Sequence, residues 1–377
     1  MRILKIVHTG DFHIGSLFTS TPEVASQRRV DQINALRKTV EMTNEKESDA
    51  LLIAGDLFDS LKVDAQVLSE TKAILGACKC DVFIAPGNHD PATPDSCYAQ
   101  GEVWPDNVHI FRSGLEYFEI PDKNACIWGA AFTRSFQLEP LVQDVTIDDT
   151  KINILLIHGD LYSGSQSESK YNPVSSEFLC SSGFEYVALG HIHKPEMHRN
   201  GDLLYGYCGV PEPRGFDEQG EKGIWAGYVS KNFAHVDFFK ICSRKYISDT
   251  VDVSGCSVTP EFCEALLKTL EKRHGKDYEK NLYDITLKGE LPRGVMADIP
   301  VLTSAMREKL HYVRFTDTTT TELDINMLGK DTTLRGAFAR AISNKIQKDE
   351  RNRDKYLRAL LYGLRAFDGE VIVSDDK

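Results

Sequence analysis

Short apolar runs recur through the first half of the chain, and each closes on a polar cluster. They cover residues 3–7, 50–54, 82–85, 152–157 and 186–189. Their length and their Val, Ile and Leu content predict strands buried on both faces. Residues 24–44 carry helical spacing between the first two runs, and residues 63–75 do so between the second and third. Strands alternating with helices predict a layered α/β domain. In such sheets ligands collect beyond the carboxyl ends of strands, where these polar clusters fall.

The pattern changes near residue 245. Residues 260–273 and 298–310 read as helices and 282–289 and 312–315 as extended, which predicts a second, smaller α/β unit. From Leu334 the spacing is helical again. Leu334, Phe338, Ile342 and Ile346 form one apolar stripe; Tyr356, Leu360, Leu361, Leu364 and Phe367 form another. Residues 330–365 hold ten Lys/Arg against four Asp/Glu in a chain of net charge -12. The two stripes would either pack on their own domain or offer a basic face to a partner. Residues 368–377 read as an acidic, frayed tail. The boundaries expected are thus 1–244, 245–329, 330–367 and 368–377.

With 377 residues, 41% of them apolar and 27% charged, the chain can bury a full core without a metal or a disulfide. Any metal would serve chemistry. No stretch approaches the roughly 18 apolar residues of a membrane span. The start, Met1-Arg2-Ile3-Leu4-Lys5, does not read as a signal peptide. Nine scattered cysteines read as reduced thiols, which with the above predicts a cytoplasmic protein. The net charge argues against a surface coated for DNA binding.

The candidate chemistry lies in five ordered clusters at the strand ends. These are Asp11-Phe12-His13, Gly55-Asp56-Leu57-Phe58-Asp59, Gly87-Asn88-His89-Asp90, His158-Gly159-Asp160 and Gly190-His191-Ile192-His193. Five of the eleven histidines are here. An Asp and a His two apart on extended chain point to the same side. Carboxylate, imidazole and amide oxygen without thiolate suit Mn, Fe or Zn in a reactive rather than a structural site. One such cluster is commonly only a turn or a cap; five in order are hard to explain as structure alone. Asp160 reads equally as a turn residue or as a partner behind a metal-bound histidine. His8 reads as a packed strand residue.

The series D-x-H, G-D-x-x-D, G-N-H-D, H-G and G-H-x-H resembles the calcineurin-like metallophosphoesterases. Further stretches resemble the SbcD group of DNA repair nucleases and its YhaO-like members. They are Pro86-Gly87-Asn88-His89-Asp90-Pro91, Trp104-Pro105-Asp106-Asn107-Val108-His109-Ile110-Phe111 and Val187-Ala188-Leu189-Gly190-His191-Ile192-His193-Lys194. Residues 207–223, with Arg214, Phe216, Glu218 and Gly223, are similar to the segment that follows the group's last metal motif. The likeness is specific over residues 1–225 and only architectural beyond.

The resemblance implies two mixed sheets flanked by helices, a small α/β capping domain and C-terminal helices. It implies two divalent ions, manganese foremost, with Fe or Zn as alternatives. Asp11, His13 and His193 would bind the first ion; Asn88, His158 and His191 the second; Asp56 would bridge them. His89 would contact the scissile phosphate as the catalytic histidine, with Asp59 pairing with it. Arg214 would touch the nucleic-acid backbone. DNA, an SbcC-type or YhaN-type ATPase and a second copy of the chain would be the partners. A DNA nuclease is therefore the leading expectation. A phosphoesterase for a nucleotide or phosphomonoester could use the same site, and a non-catalytic assembly subunit would need that site to be a relict.

Overall fold

The computed structural model describes residues 2–99, 102–164, 168–321, 328 and 330–367. The predicted tail at 368–377 lies outside them. Internal contacts divide the chain into two units. One comprises Met1–Ser248, Lys276–Asp284 and Lys309–Val313; the other comprises Asp249–Gly275, Ile285–Glu308 and Arg314–Lys377.

In the first unit β1 (Ile3–Thr9), α1 (Ala25–Glu45), β2 (Ala50–Ile53), α2 (Ala65–Gly76), β3 (Asp81–Ile84) and β4 (Val108–Ile110) alternate strand with helix. They are followed by β5 (Glu116–Ile120), β6 (Ala125–Gly129), β7 (Ile152–His158), β8 (Leu161–Tyr162), β9 (Val174–Ser175), α3 (Ser176–Ser181) and β10 (Tyr186–Gly190). Next come β11 (Glu196–Asn200), β12 (Leu203–Tyr207), β13 (Gly223–Ser230) and β14 (Phe233–Lys240). Two six-stranded sheets result, ordered β14-β13-β1-β2-β3-β4 and β11-β12-β10-β7-β6-β5. Both are mixed. β1 to β4 run parallel while β13 pairs antiparallel with β1; β6, β7, β10 and β12 run parallel while β5 and β11 are antiparallel edges.

The runs are apolar nearly throughout because each strand feeds two cores; Lys5 of β1, exposed, and Asn153 of β7 are the interruptions. Leu51, Ile53, Val82 and Ile84 pack with Leu36, Val40 and Leu75 of the helices. Their neighbours Leu52 and Phe83 turn the other way, onto Ile154, Leu156 and Ala188 of the second sheet. Leu155, Ile157, Val187 and Leu189 then fill a third layer beyond that sheet. The period-two alternation is thus intact; both of its faces are simply dry.

Farther along lie β15 (Tyr246–Asp252), α4 (Thr259–His274), β16 (Leu282–Lys288), β17 (Glu290–Leu291), α5 (Ile299–Arg307), β18 (Tyr312–Asp317) and β19 (Thr320–Thr321). A three-stranded sheet orders β15-β16-β18. Phe262, Leu266, Leu270, Leu302 and Met306 are the buried positions of α4 and α5. In the second unit α6 (Leu334–Lys348) and α7 (Arg353–Phe367) form a hairpin. Ala339, Ile342, Leu360 and Leu364 make its core, with Phe338, Ile346 and Tyr356 packed on it. The two predicted stripes therefore meet each other, leaving Leu334 74% exposed and Phe367 44%.

Candidate metal centre

The loops after β1 and β2 run side by side. Asp11 donates its N–H to the Gly55 carbonyl, His13 to that of Asp56 and Ile14 to that of Leu57, each at 2.9 Å. Asp11, His13 and Asp56 take positive φ of 50°, 47° and 47°, and His191 takes 107°. These are four of the nine non-glycine residues of that kind among those described. Such conformations cost on the order of 1–3 kcal/mol each and persist only where their surroundings fix them. Strand alternation is accordingly not what aims the D-x-H pair: both residues lie past the end of β1, and the turn aims them. Nor do His191 and His193 share one group.

Asp11, His13 and His193 bring one nitrogen or oxygen each within 4.8 Å of one another, and so do Asp56, His158 and His191. Asn88 joins the second group, its Oδ1 2.9 Å from His158 Nε2 and 3.1 Å from His191 Nδ1. Asp56 Oδ2 stands between the groups, 3.4 Å from His158 Nε2 and 3.7 Å from His13 Nε2. The other oxygen, Oδ1, accepts the His89 N–H at 2.9 Å, and both Asp11 oxygens lie 3.1 Å from the His191 N–H. The buried acid Asp90 accepts from Gly87 N–H, Phe58 N–H and the Tyr98 hydroxyl, tying together the loops after β2 and β3.

Each imidazole has an acceptor behind it. His158 Nδ1 donates to the Ala54 carbonyl at 2.9 Å, His13 Nδ1 to Asp59 at 3.1 Å and His193 Nδ1 to Glu218 at 2.7 Å. His191 Nε2 faces Asp160 at 3.4 Å. A proton on those nitrogens leaves the opposite nitrogen of each ring with a lone pair. The lone pairs then converge: His13 Nε2 faces His193 Nε2 at 3.2 Å, and His158 Nε2 faces His191 Nδ1 at 3.2 Å. Acceptor against acceptor in a buried place repels unless a cation or a proton lies between. The donor set fits two divalent ions, with thiolate absent and oxygen and imidazole mixed.

The electrostatics agree at two of the four rings. Burial outweighs the neighbouring carboxylates at His13 and lowers its pKa; burial and then His158 do the same at His191. Both rings are therefore held neutral, the state a metal needs. His158 differs: burial is overcome by the Asp56 carboxylate and the pKa is pushed up to about 9. This ring therefore holds a second proton on Nε2, facing Asp56 and Asn88 in the place a cation would take. Asp56 in turn is held well below the carboxylate range, its own burial reversed by His158 and His13.

His89 sits at the edge of this cluster, its ring 4.7 Å from that of His13 and 42% of its side chain exposed. Its Nδ1 donates to the Asp59 main-chain carbonyl at 3.1 Å, while the Asp59 carboxylate is 3.9 Å away. That carboxylate faces His13 and the Arg214 guanidinium, the latter at 3.0 Å. Arg214, expected on a nucleic-acid backbone, also lies 3.3 Å from Glu218. His8 is fully buried, bonded to the Tyr186 hydroxyl and the Leu189 carbonyl. No spacing rule singled out Glu218; the only signal was its place in the stretch similar to the SbcD group.

Residues 4–195 match the calcineurin-like phosphoesterase family, and the chain belongs to it. Membership implies a hydrolase of phosphoester bonds dependent on divalent metal. Over 268 residues the chain is 28% identical to the uncharacterized metallophosphoesterase YhaO of Bacillus subtilis, covering 67% of this chain and 64% of that protein. It is 26% identical over 317 residues to the DNA double-strand break repair protein Mre11 of Aeropyrum pernix (76% and 74% covered). It is 27% identical over 233 residues to the D subunit of the nuclease SbcCD from Staphylococcus epidermidis (54% and 60% covered). The chain thus spans less than two thirds of the length of YhaO and of the nuclease subunit. No helix among the described residues is long and apolar enough to cross a membrane.

Proposed function

We propose that this protein hydrolyses phosphodiester bonds of DNA with two manganese ions, as the nuclease subunit of an assembly with an SbcC-type or YhaN-type ATPase and a second copy of itself. The observation that carries the reading is the convergence of two histidine pairs on either side of Asp56, with His89 open to solvent beside them. Asp11, His13 and His193 would hold one ion, Asn88, His158 and His191 the other, and Asp56 both. Such ions would act as Lewis acids that lower the pKa of water and neutralise charge on the phosphoryl oxygens.

The chain's own residues supply the rest. The Asp59 carbonyl keeps the His89 proton on Nδ1, so Nε2 is free to hold a proton for the leaving oxygen or to contact the phosphate. Asp56 Oδ1 fixes the His89 backbone, which sets the ring's reach. The double-strand break repair protein and the nuclease subunit among the relatives support DNA as substrate. The α6–α7 hairpin, with Leu334 exposed, is the candidate ATPase contact; residues 245–329 would shape the approach of DNA.

The test is manganese-dependent cleavage of end-labelled single- and double-stranded DNA, beside a small phosphodiester, by wild type and His89→Ala. Cleavage should drop about 10²–10⁴-fold in the variant at unchanged metal content. Turnover of the small ester alone would point to a small-substrate enzyme. No turnover at all, even with an ATPase partner present, would leave an assembly subunit.

A further inference from the structure

The segment between β12 and β13 grips His193 from two sides. Glu218, buried, accepts from the ring Nδ1 at 2.7 Å, and Lys222, also buried, donates its Nζ to the His193 carbonyl at 3.0 Å. Glu218 is itself fixed: it accepts the Arg214 N–H at 2.7 Å and lies 3.3 Å from the Arg214 guanidinium. The same guanidinium reaches Asp59 at 3.0 Å, and Asp59 stands behind His13. One cation therefore joins the two carboxylates that stand behind the two imidazoles of the Asp11 group.

The base of this segment is anchored. Arg28 of α1, wholly buried, donates to Glu212 at 2.6 Å and to the Pro213 carbonyl at 2.9 Å. Glu212 also accepts the Ser243 N–H at 2.6 Å. Among the described residues no cation joins the acceptors behind the Asp56 group: His158 leans on a main-chain carbonyl, and His191 faces the Asp160 carboxylate at 3.4 Å. A carboxylate behind a ligand imidazole fixes its tautomer and orientation and raises its basicity.

We infer that Glu218 is a positioning residue for the first metal site, holding His193 with Nε2 turned to the ion, and that Arg214 locks Glu218 and Asp59 into one bracket rather than binding substrate. The inference rests on the two-metal reading above. It assigns separate control of the two sites: the bracket sets occupancy of the first and leaves the second alone.

The experiment is calorimetric titration of manganese into chelator-treated wild type, Glu218→Ala and Glu218→Gln, with electron paramagnetic resonance to distinguish a coupled ion pair from a lone ion. Thermal melting of each metal-free protein reports the fold. Glu218→Ala should weaken one of two binding events about 10–100-fold and leave the other unchanged. The coupled signal should give way to a lone-ion signal at low manganese. Glu218→Gln, whose amide oxygen still accepts from Nδ1, should recover part of the loss. Wild-type affinity at both sites in Glu218→Ala would overturn the inference, and so would equal weakening of both sites with a lowered metal-free melting point. Wild type binding fewer than two manganese ions would instead remove the two-metal reading itself.

Discussion

Gly190 ends β10 where the second sheet comes close to the loop after β2, and a Cβ there would overlap the Ala54 carbonyl. That carbonyl holds the His158 proton on Nδ1, so a methyl group would push on the acceptor that aims a candidate ligand. Gly190→Ala should leave a folded protein, destabilised by about 1–3 kcal/mol, with manganese content well below two ions in elemental analysis. Full metal content would show that the Ala54 carbonyl is dispensable. His8 makes a different prediction. Burial lowers its pKa to about 3, far under the ordinary value of about 6.5. The unfolded chain therefore takes up this proton first as pH falls. Stability is fully present above about pH 6.5 and drains away toward pH 3, by roughly 1–2 kcal/mol between pH 6.5 and 5. His8→Phe should flatten that part of a pH series of urea melts; an unchanged slope would assign the acid sensitivity elsewhere.

Among the elements, α2 begins on a side chain. Asp64 accepts from the Gln66 and Val67 N–H groups at 2.9 and 3.2 Å. Asp64→Ala should cost about 1 kcal/mol in a denaturant melt, with metal binding untouched. The α6–α7 hairpin tests a larger contact. Leu360 is wholly buried in a core of few residues, so Leu360→Ala should cost on the order of 2–5 kcal/mol there. Hydrogen exchange should rise across residues 334–367 and not in β1 to β4. Exchange unchanged in the hairpin would mean that its helices are held by something other than each other. The long helices were legible from their periodicity, and β1, β2, β3, β7 and β10 from their apolar runs. β6, β12 and β13, though interior, were not read, because glycines and polar or aromatic residues break their runs. Nor were β5, β11 and β14, since their burial alternates or fails along exposed sheet edges and leaves no apolar run to notice.

At the scale of the molecule, the two units need not melt together. Ions that bind only the folded first unit stabilise it by mass action, about 2.7 kcal/mol for one site at a hundredfold excess over Kd. Calorimetric scans should show a transition that rises with manganese and falls with chelator, and one that ignores both. A single transition indifferent to metal would count against the centre.

The five clusters, their order after apolar runs and their donor types stood in the sequence, because donor chemistry is a property of residue type and strand ends can be read from hydrophobic pattern. Which nitrogen of each imidazole carries the proton was decided only in three dimensions, by acceptors as distant along the chain as Glu218 from His193, Asp59 from His13 and Ala54 from His158. The place of Arg214 followed likewise, since a guanidinium goes to the carboxylates the fold brings nearest, Asp59 and Glu218. Periodicity records which face of an element is dry; it holds no record of which loops meet, and at this site the meeting of loops sets the chemistry.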